Sequence, residues 1–261
     1  MGLIRSIWTV IVASSVLATL GTVCIVGAYV GLSRSFYDWT GKFFSHVMLW
    51  ASGTPVTAIG LEHIDRDDPQ VVACNHQSMW DVWTLAATVP RRTHFVAKKE
   101  IRKIPIFGRA AAAAGHVYID RGNRAAAVQS LKLAGRRIRE NNSTAVVFPE
   151  GTRSLTGDLQ PFKKGPFIMA IEAGVPIVPT VVDGTFDILP KRGFVLRPQP
   201  ITVWFGEPVD TTNFEHEDRD ALIARVHARM AEMLAELRAP DGYRGPKRLR
   251  PEPAALEESN V

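Results

Sequence analysis

The first fifth of the chain is dominated by apolar positions without punctuation. From Ile7 to Leu32 no residue carries a charge, a span of about 26 positions where about 20 suffice to cross a bilayer as a helix. The pattern predicts an uncleaved membrane helix, since the apolar region of a cleaved signal peptide is only about 7–15 residues long. A second apolar patch, Phe43 to Trp50, is too short to span, and its Phe and Trp side chains suit the headgroup boundary. Ser52-Gly53-Thr54-Pro55 then marks a break. Beyond it, short apolar runs recur between helical stretches. Val56–Ile64, Val71–Cys74, His94–Ala97, Val117–Ile119, Ala145–Phe148 and Ile177–Val182 read as strands. Asp81 to Val89 reads as a helix. A second helix runs from Asn123, its cap, to about Asn141, with Val128, Leu131 and Ile138 facing inward.

Phe194–Leu196 and Ile201–Phe205 look like two strands around Arg197-Pro198-Gln199-Pro200. A last helix, from about Asp218 to Arg238, aligns Leu222, Val226, Met230, Met233 and Leu237 along one stripe, as ordinary core packing requires. Strands alternating with helices predict an α/β fold: a mixed, partly parallel sheet flanked by helices and preceded by an N-terminal helical membrane anchor. Three parts follow. Residues 1–52 form the anchor, transmembrane or a two-helix interfacial unit. Residues 53–240 form the α/β body, and 241–261 a disordered tail rich in proline and charge.

Composition narrows this picture. With 261 residues, 46% hydrophobic and 22% charged, the chain suits one ordinary domain plus an appendage and is not a disordered polymer. The net charge of +5 admits nucleic acid as a partner, but no basic motif interleaved with aromatic residues appears. The cluster Arg91-Arg92, Lys98-Lys99, Arg102-Lys103 suits an anionic membrane surface, or is simply a solvated face. Arg5 lies on one side of the apolar run, and Arg34 and Lys42 on the other, so the positive-inside rule leans only weakly toward a cytosolic body. Cys24 in the apolar run and Cys74 in a core strand are poor disulfide candidates.

Candidate chemistry concentrates at Asn75-His76-Gln77-Ser78-Met79-Trp80-Asp81, where a strand gives way to a helix. Positions i and i+5 of a helix diverge by roughly 140°. His76 and Asp81 therefore meet only if His76 sits in the turn and reaches back over the helix start. The carboxylate then accepts one ring N–H and leaves the other nitrogen free as a base. No G-x-S-x-G elbow supplies a protein nucleophile, so the base would act on a hydroxyl brought by the substrate. Ser78 reads as a capping residue. Arg121 and Arg153 both follow predicted strands, where ligands of open α/β sheets collect, and a guanidinium there can fork onto a phosphate.

The ordered set His76-x4-Asp81, Gly115-His116-Val117-Tyr118-Ile119-Asp120-Arg121, Phe148-Pro149-Glu150-Gly151-Thr152-Arg153-Ser154 and Val175-Pro176-Ile177-Val178-Pro179-Thr180 resembles the four sequence blocks of the glycerolipid acyltransferases, specifically the 1-acyl-sn-glycerol-3-phosphate acyltransferases. The resemblance covers about Val71 to Thr180. Tyr118 stands where family members often have Phe. The resemblance implies His76 as base and Asp81 as its orienter. It also implies Arg121, Arg153 and Lys98 as contacts of the acceptor's 3-phosphate, with Glu150, Gly151 and Thr152 shaping the acceptor site. It implies no metal or prosthetic group and an acyl donor carried as a thioester on coenzyme A or acyl carrier protein. The partners would be membrane lipid, lysophosphatidate and the donor, not nucleic acid, and the location the cytoplasmic membrane.

Two kinds of rival remain from the sequence. One keeps the chemistry and changes the acceptor to glycerol-3-phosphate or another lysophospholipid. The other is a metal-dependent membrane hydrolase with His76 and Asp81 as ligands, or a non-catalytic lipid-binding protein. The stretch Arg109-Ala110 to Ala114-Gly115 either leaves room for an acyl chain or lets helices pack closely.

Overall fold

A computed structural model describes residues 2–120, 122 and 124–239. Its first elements are two long helices, α1 (Gly2–Val30) and α2 (Arg34–Ser52), folded back on each other. The Thr9 hydroxyl donates to the Ala51 carbonyl (3.1 Å), and the Cys24 thiol meets the Thr40 hydroxyl (3.4 Å), which fixes an antiparallel hairpin. Small and hydroxyl residues line this seam because they let two backbones approach closely. At Gly21 an added Cβ would sit 2.4 Å from Ile106 and 3.9 Å from Ala110. The alanines after Arg109 thus serve close helix packing, the second of the two sequence readings.

The body follows as β1 (Val56–Ile59), β2 (Gln70–Cys74), α3 (Trp80–Thr88), β3 (Thr93–Lys98), α4 (Phe107–Ala113), β4 (Val117–Ile119), α5 (Arg124–Glu140) and β5 (Thr144–Val147). It continues with α6 (Gly165–Ala173), β6 (Ile177–Asp183), α7 (Thr185–Ile188), β7 (Ile201–Phe205) and α8 (Arg219–Arg238). The seven strands form one sheet in the order β1-β7-β6-β2-β5-β3-β4. Pairing is parallel from β6 through β2, β5 and β3 to β4; β7 runs antiparallel to β6 and parallel to β1. The mixed α/β fold read from the sequence is the one adopted.

Every residue of β2 is buried, as expected of a central parallel strand covered on both faces. Its side chains alternate between two cores. Val71 and Ala73 join Leu131, Ile138, Phe167, Leu222, Val226, Met230 and Met233 from α5, α6 and α8. Val72 and Cys74 join Met48 and Leu49 of α2 and Trp80 and Leu85 of α3. The N-terminal hairpin is therefore packed into the second core through α2.

Four local expectations change. The first strand stops at Ile59 because Gly60 takes φ +73°, and a Cβ there would lie 2.0 Å from the Phe205 carbonyl oxygen. Phe194–Leu196 is not a strand: the Leu196 N–H goes to the Ser6 hydroxyl (2.8 Å) and the Arg197 N–H to the Ile188 carbonyl (3.0 Å). The basic cluster is not one solvated face. Arg91 is buried, donating to the carbonyls of Asp65, Asp68 and Asn142, and Arg92 pairs with Asp38 at 2.6 Å. The fourth change, at Ser78, belongs to the site below. The expected cap Asn123 and the tail beyond Pro240 lie outside the described residues.

Candidate active site

Strand β2 lies between β5 and β6, so the segments leaving the carboxyl ends of these three neighbours converge. In open α/β sheets that is where ligands bind. His76 leaves β2, Glu150 leaves β5, and Thr185 leaves β6. Asn75 holds β2 to β6 at this edge: its amide donates to the Val182 carbonyl (2.9 Å) and its carbonyl accepts the Val182 N–H (2.8 Å).

His76 Nδ1 lies 2.8 Å from Asp81 Oδ2. The geometry is that of a turn residue reaching over the helix start. Asp81 is fully buried, so its charge must be compensated. Oδ2 also accepts the backbone N–H groups of Gln77 (2.7 Å) and Ser78 (2.8 Å), and Oδ1 accepts the Thr185 hydroxyl. Four donors surround a group that only accepts, and the position in the first turn of α3 adds the favourable end of the helix dipole. With Nδ1 as the donor to Asp81, Nε2 is left with its lone pair, as a base requires. Nε2 has no hydrogen-bond partner among the described residues. The imidazole lies flat against Phe148, ring centroids 4.0 Å apart at 17°. Its backbone is pinned as well: the His76 N–H donates to Glu150 Oε1 (2.7 Å), and its carbonyl accepts the Ser154 N–H (2.7 Å).

Glu150 is buried, and desolvation pushes its carboxyl up to about 7 against the opposing pull of the His76 and Gln160 N–H groups. Gln160 Nε2 donates to Oε2 at 2.8 Å. Gly151 turns the chain with φ +75°, a region costly for residues with a Cβ. Thr152 is exposed at the rim, and its hydroxyl accepts from Lys191 Nζ (2.8 Å), which also donates to the Arg153 carbonyl (3.2 Å). Ser78 does not cap α3 as expected. The N-cap position is Met79, one residue later; the Ser78 hydroxyl donates to the Leu189 carbonyl (2.7 Å) and reaches the first N–H of the helix, that of Trp80, only at 3.4 Å.

The fold therefore gathers His76, Asp81, Glu150, Gly151, Thr152 and the Arg153 backbone. Lys98 ends β3, two strands from β2, with its ammonium 3.5 Å from Glu100. Arg121 lies outside the described residues. Sequence reasoning missed Thr185, Phe148, Gln160 and Lys191. The only signal for Thr185 is its place one glycine past the β6 end, and Gln160 and Lys191 carry none. Among the described residues no three His, Cys, Asp or Glu side chains group as metal ligands would.

The acyltransferase family model matches residues 55–183, which contain all of these groups except Lys191 and Thr185. A 1-acyl-sn-glycerol-3-phosphate acyltransferase of Cocos nucifera is 37% identical over 204 residues, covering 77% of this chain and 66% of that one. One of Haemophilus influenzae is 34% identical over 188 residues, covering 70% of this chain and 78% of its own length. The chain belongs to the 1-acyl-sn-glycerol-3-phosphate acyltransferase family. The crystal structure of a 1-acyl-sn-glycerophosphate acyltransferase, PlsC, from Thermotoga maritima superposes with a TM-score of 0.79 at 26% identity, covering 91% of this chain and 96% of that one. The chain spans about two thirds of the coconut relative, so that relative has residues with no counterpart here.

Proposed function

We infer that this acyltransferase moves a fatty acyl group from a thioester donor, acyl-coenzyme A or acyl-acyl carrier protein, to the 2-hydroxyl of 1-acyl-sn-glycerol 3-phosphate, giving phosphatidate. The observation that carries the reading is the His76–Asp81 pair, with its buried carboxylate held by four donors and Nε2 without a partner among the described residues. Nε2 takes the hydroxyl proton as that oxygen bonds to the thioester carbonyl carbon. Collapse of the tetrahedral adduct breaks the C–S bond, and the imidazolium returns the proton to the departing thiolate. Asp81 fixes the tautomer and balances the transient positive charge. No protein nucleophile and no resident cofactor is needed for these steps.

Arg153, with Arg121 and Lys98, holds the acceptor phosphate, and Lys191 adds a cation at the same rim. An apolar cavity of about 260 Å³ adjoins α3, lined by Thr9, Val10, Ala13, Met48, Trp80 and Leu189. It suits part of an acyl chain. Helix α1 is long and apolar enough to cross a membrane. It also touches the body near both ends, through Ser6 at Leu196 and Gly21 at Ile106. That supports a hairpin lying in the bilayer interface, with Trp8, Trp50 and the 91%-exposed Phe194 directed into lipid. The domain limits at 52 and 240 are kept in this reading, and the catalytic body is placed on the cytosolic side.

The test is an acyl-transfer assay on membranes with lysophosphatidate, glycerol-3-phosphate and lysophosphatidylcholine as competing acceptors. Preferential labelling of lysophosphatidate is expected. Preference for either of the others would replace the acceptor while leaving the chemistry.

A further inference from the structure

A second cavity, of about 310 Å³, opens at the opposite edge of the sheet. Its wall includes Arg34 at the start of α2, Asp38, Arg92 and His94 at the start of β3, Gly115 after α4, and Arg137 in the last turn of α5. His94 is level with Ala145 of β5, which is level with Val71 of β2, five residues before His76. The cavity is thus on the order of 15 Å from the catalytic histidine along the strands, and two strand spacings, about 10 Å, to the side. It is not part of the transfer site.

Three guanidinium groups face one carboxylate there. Arg92 is engaged by Asp38 (2.6 Å), and Arg34 donates to the side-chain carbonyl of Asn141. Arg137 is exposed at the mouth and has no side-chain partner among the described residues. His94 is 8% exposed, and neither of its ring nitrogens has a hydrogen-bond partner. Leaving buried polar atoms unpaired is costly, and burial holds the ring below the ordinary histidine value. Gly115 supplies the space: a Cβ there would come within 3.1 Å of His94 Cε1. A neutral imidazole offers one donor and one acceptor. A singly protonated phosphate group offers the complement, acceptor oxygens with one O–H, and its negative charge matches the surplus of arginines.

We propose that this cavity is a binding site for a singly protonated phosphate group, seated between His94 and the Arg34, Arg92 and Arg137 guanidiniums and separate from the acceptor site. The chemistry is shared by inorganic phosphate and by the headgroup of a phosphatidate. The proposal does not depend on the transfer reaction.

The test is equilibrium binding of radiolabelled inorganic phosphate and of dihexanoyl phosphatidate to the full-length protein in detergent, at constant ionic strength. It is run on the wild type, on Arg153→Ala, and on Arg153→Ala combined with His94→Phe or with Arg137→Gln. His94→Phe keeps a flat ring and removes two unpaired nitrogens, so the fold should survive; Arg137→Gln is a surface change. Binding should persist in Arg153→Ala, and in that background, where the acceptor site no longer contributes, it should weaken at least tenfold on adding either His94→Phe or Arg137→Gln. Tighter binding of the phosphatidate than of free phosphate would assign the lipid headgroup as ligand, and equal binding would assign the free anion. Undetectable binding to the wild type, binding by Arg153→Ala that neither His94→Phe nor Arg137→Gln weakens, or loss of all binding in Arg153→Ala would each overturn the proposal.

Discussion

Asp81 illustrates how much of the proposed catalytic pair is built by backbone groups and by a residue from another strand end. Its carboxylate receives His76, two backbone amides and the Thr185 hydroxyl. A hydrogen bond to a charged group contributes about 1.5–3 kcal/mol, and each 1.36 kcal/mol is tenfold in rate. Thr185→Val should therefore lower kcat by about 10-fold or more with little change in KM, and Thr185→Ser should restore it. A change confined to thermal stability would limit Thr185 to a structural role. Glu150 makes a pH prediction. Its folded value, about 7, lies above its ordinary value of 4.5, so the folded state binds more protons between these limits. Stability contributed at this position must then fall as pH rises from about 4.5 to about 7. Glu150→Gln should flatten that part of the stability–pH curve while its amide oxygen still accepts the His76 N–H. An unchanged curve in urea unfolding would show that Glu150 is not the titrating group. The His76–Asp81 pair was legible in the sequence because both partners sit on one turn. Thr185 and Gln160 were not, since they arrive from separate strands through tertiary packing.

The elements read best from sequence were those whose pattern is set by burial. Strand β4 coincides with its apolar run, and α8 buries Leu222, Val226, Met230 and Met233 along the expected stripe. The reading failed where a local pattern met a specific partner. Residues 194–196 form an apolar run like that of a short strand, but Leu196 gives its N–H to Ser6 of α1. Helix α6 is apolar almost throughout and shows no single stripe, because it is enclosed between α5, α8 and the sheet. The apolar cavity between α1 and α3 gives an element-scale prediction. Ala13→Phe would fill part of it, so chain-length preference should move toward shorter donors when measured with a series of acyl thioesters. An unaltered preference would place the chain elsewhere.

At the scale of the whole molecule, the hairpin is part of the core and also carries the exposed apolar surface that the proposed function assigns to lipid. Met48 and Leu49 pack beneath α3, while Leu3, Ile4, Ile7, Trp8 and Trp50 are turned outward. On the proposed reading, this arrangement lets a lipid acceptor reach His76 without leaving the bilayer surface. Apolar insertion is not weakened by screening, so the full-length protein should stay on vesicles in molar salt. Release by salt alone would mean that basic residues hold it there. The central claim is that His76 is the base of a transfer to a substrate hydroxyl. The most direct measurement is single-turnover acyl transfer to lysophosphatidate by purified wild type and His76→Ala in lipid nanodiscs. General-base catalysis contributes typically ~10²–10⁴-fold. The account predicts a loss of that size in the chemical step with acceptor binding retained, and near wild-type transfer by His76→Ala would contradict it.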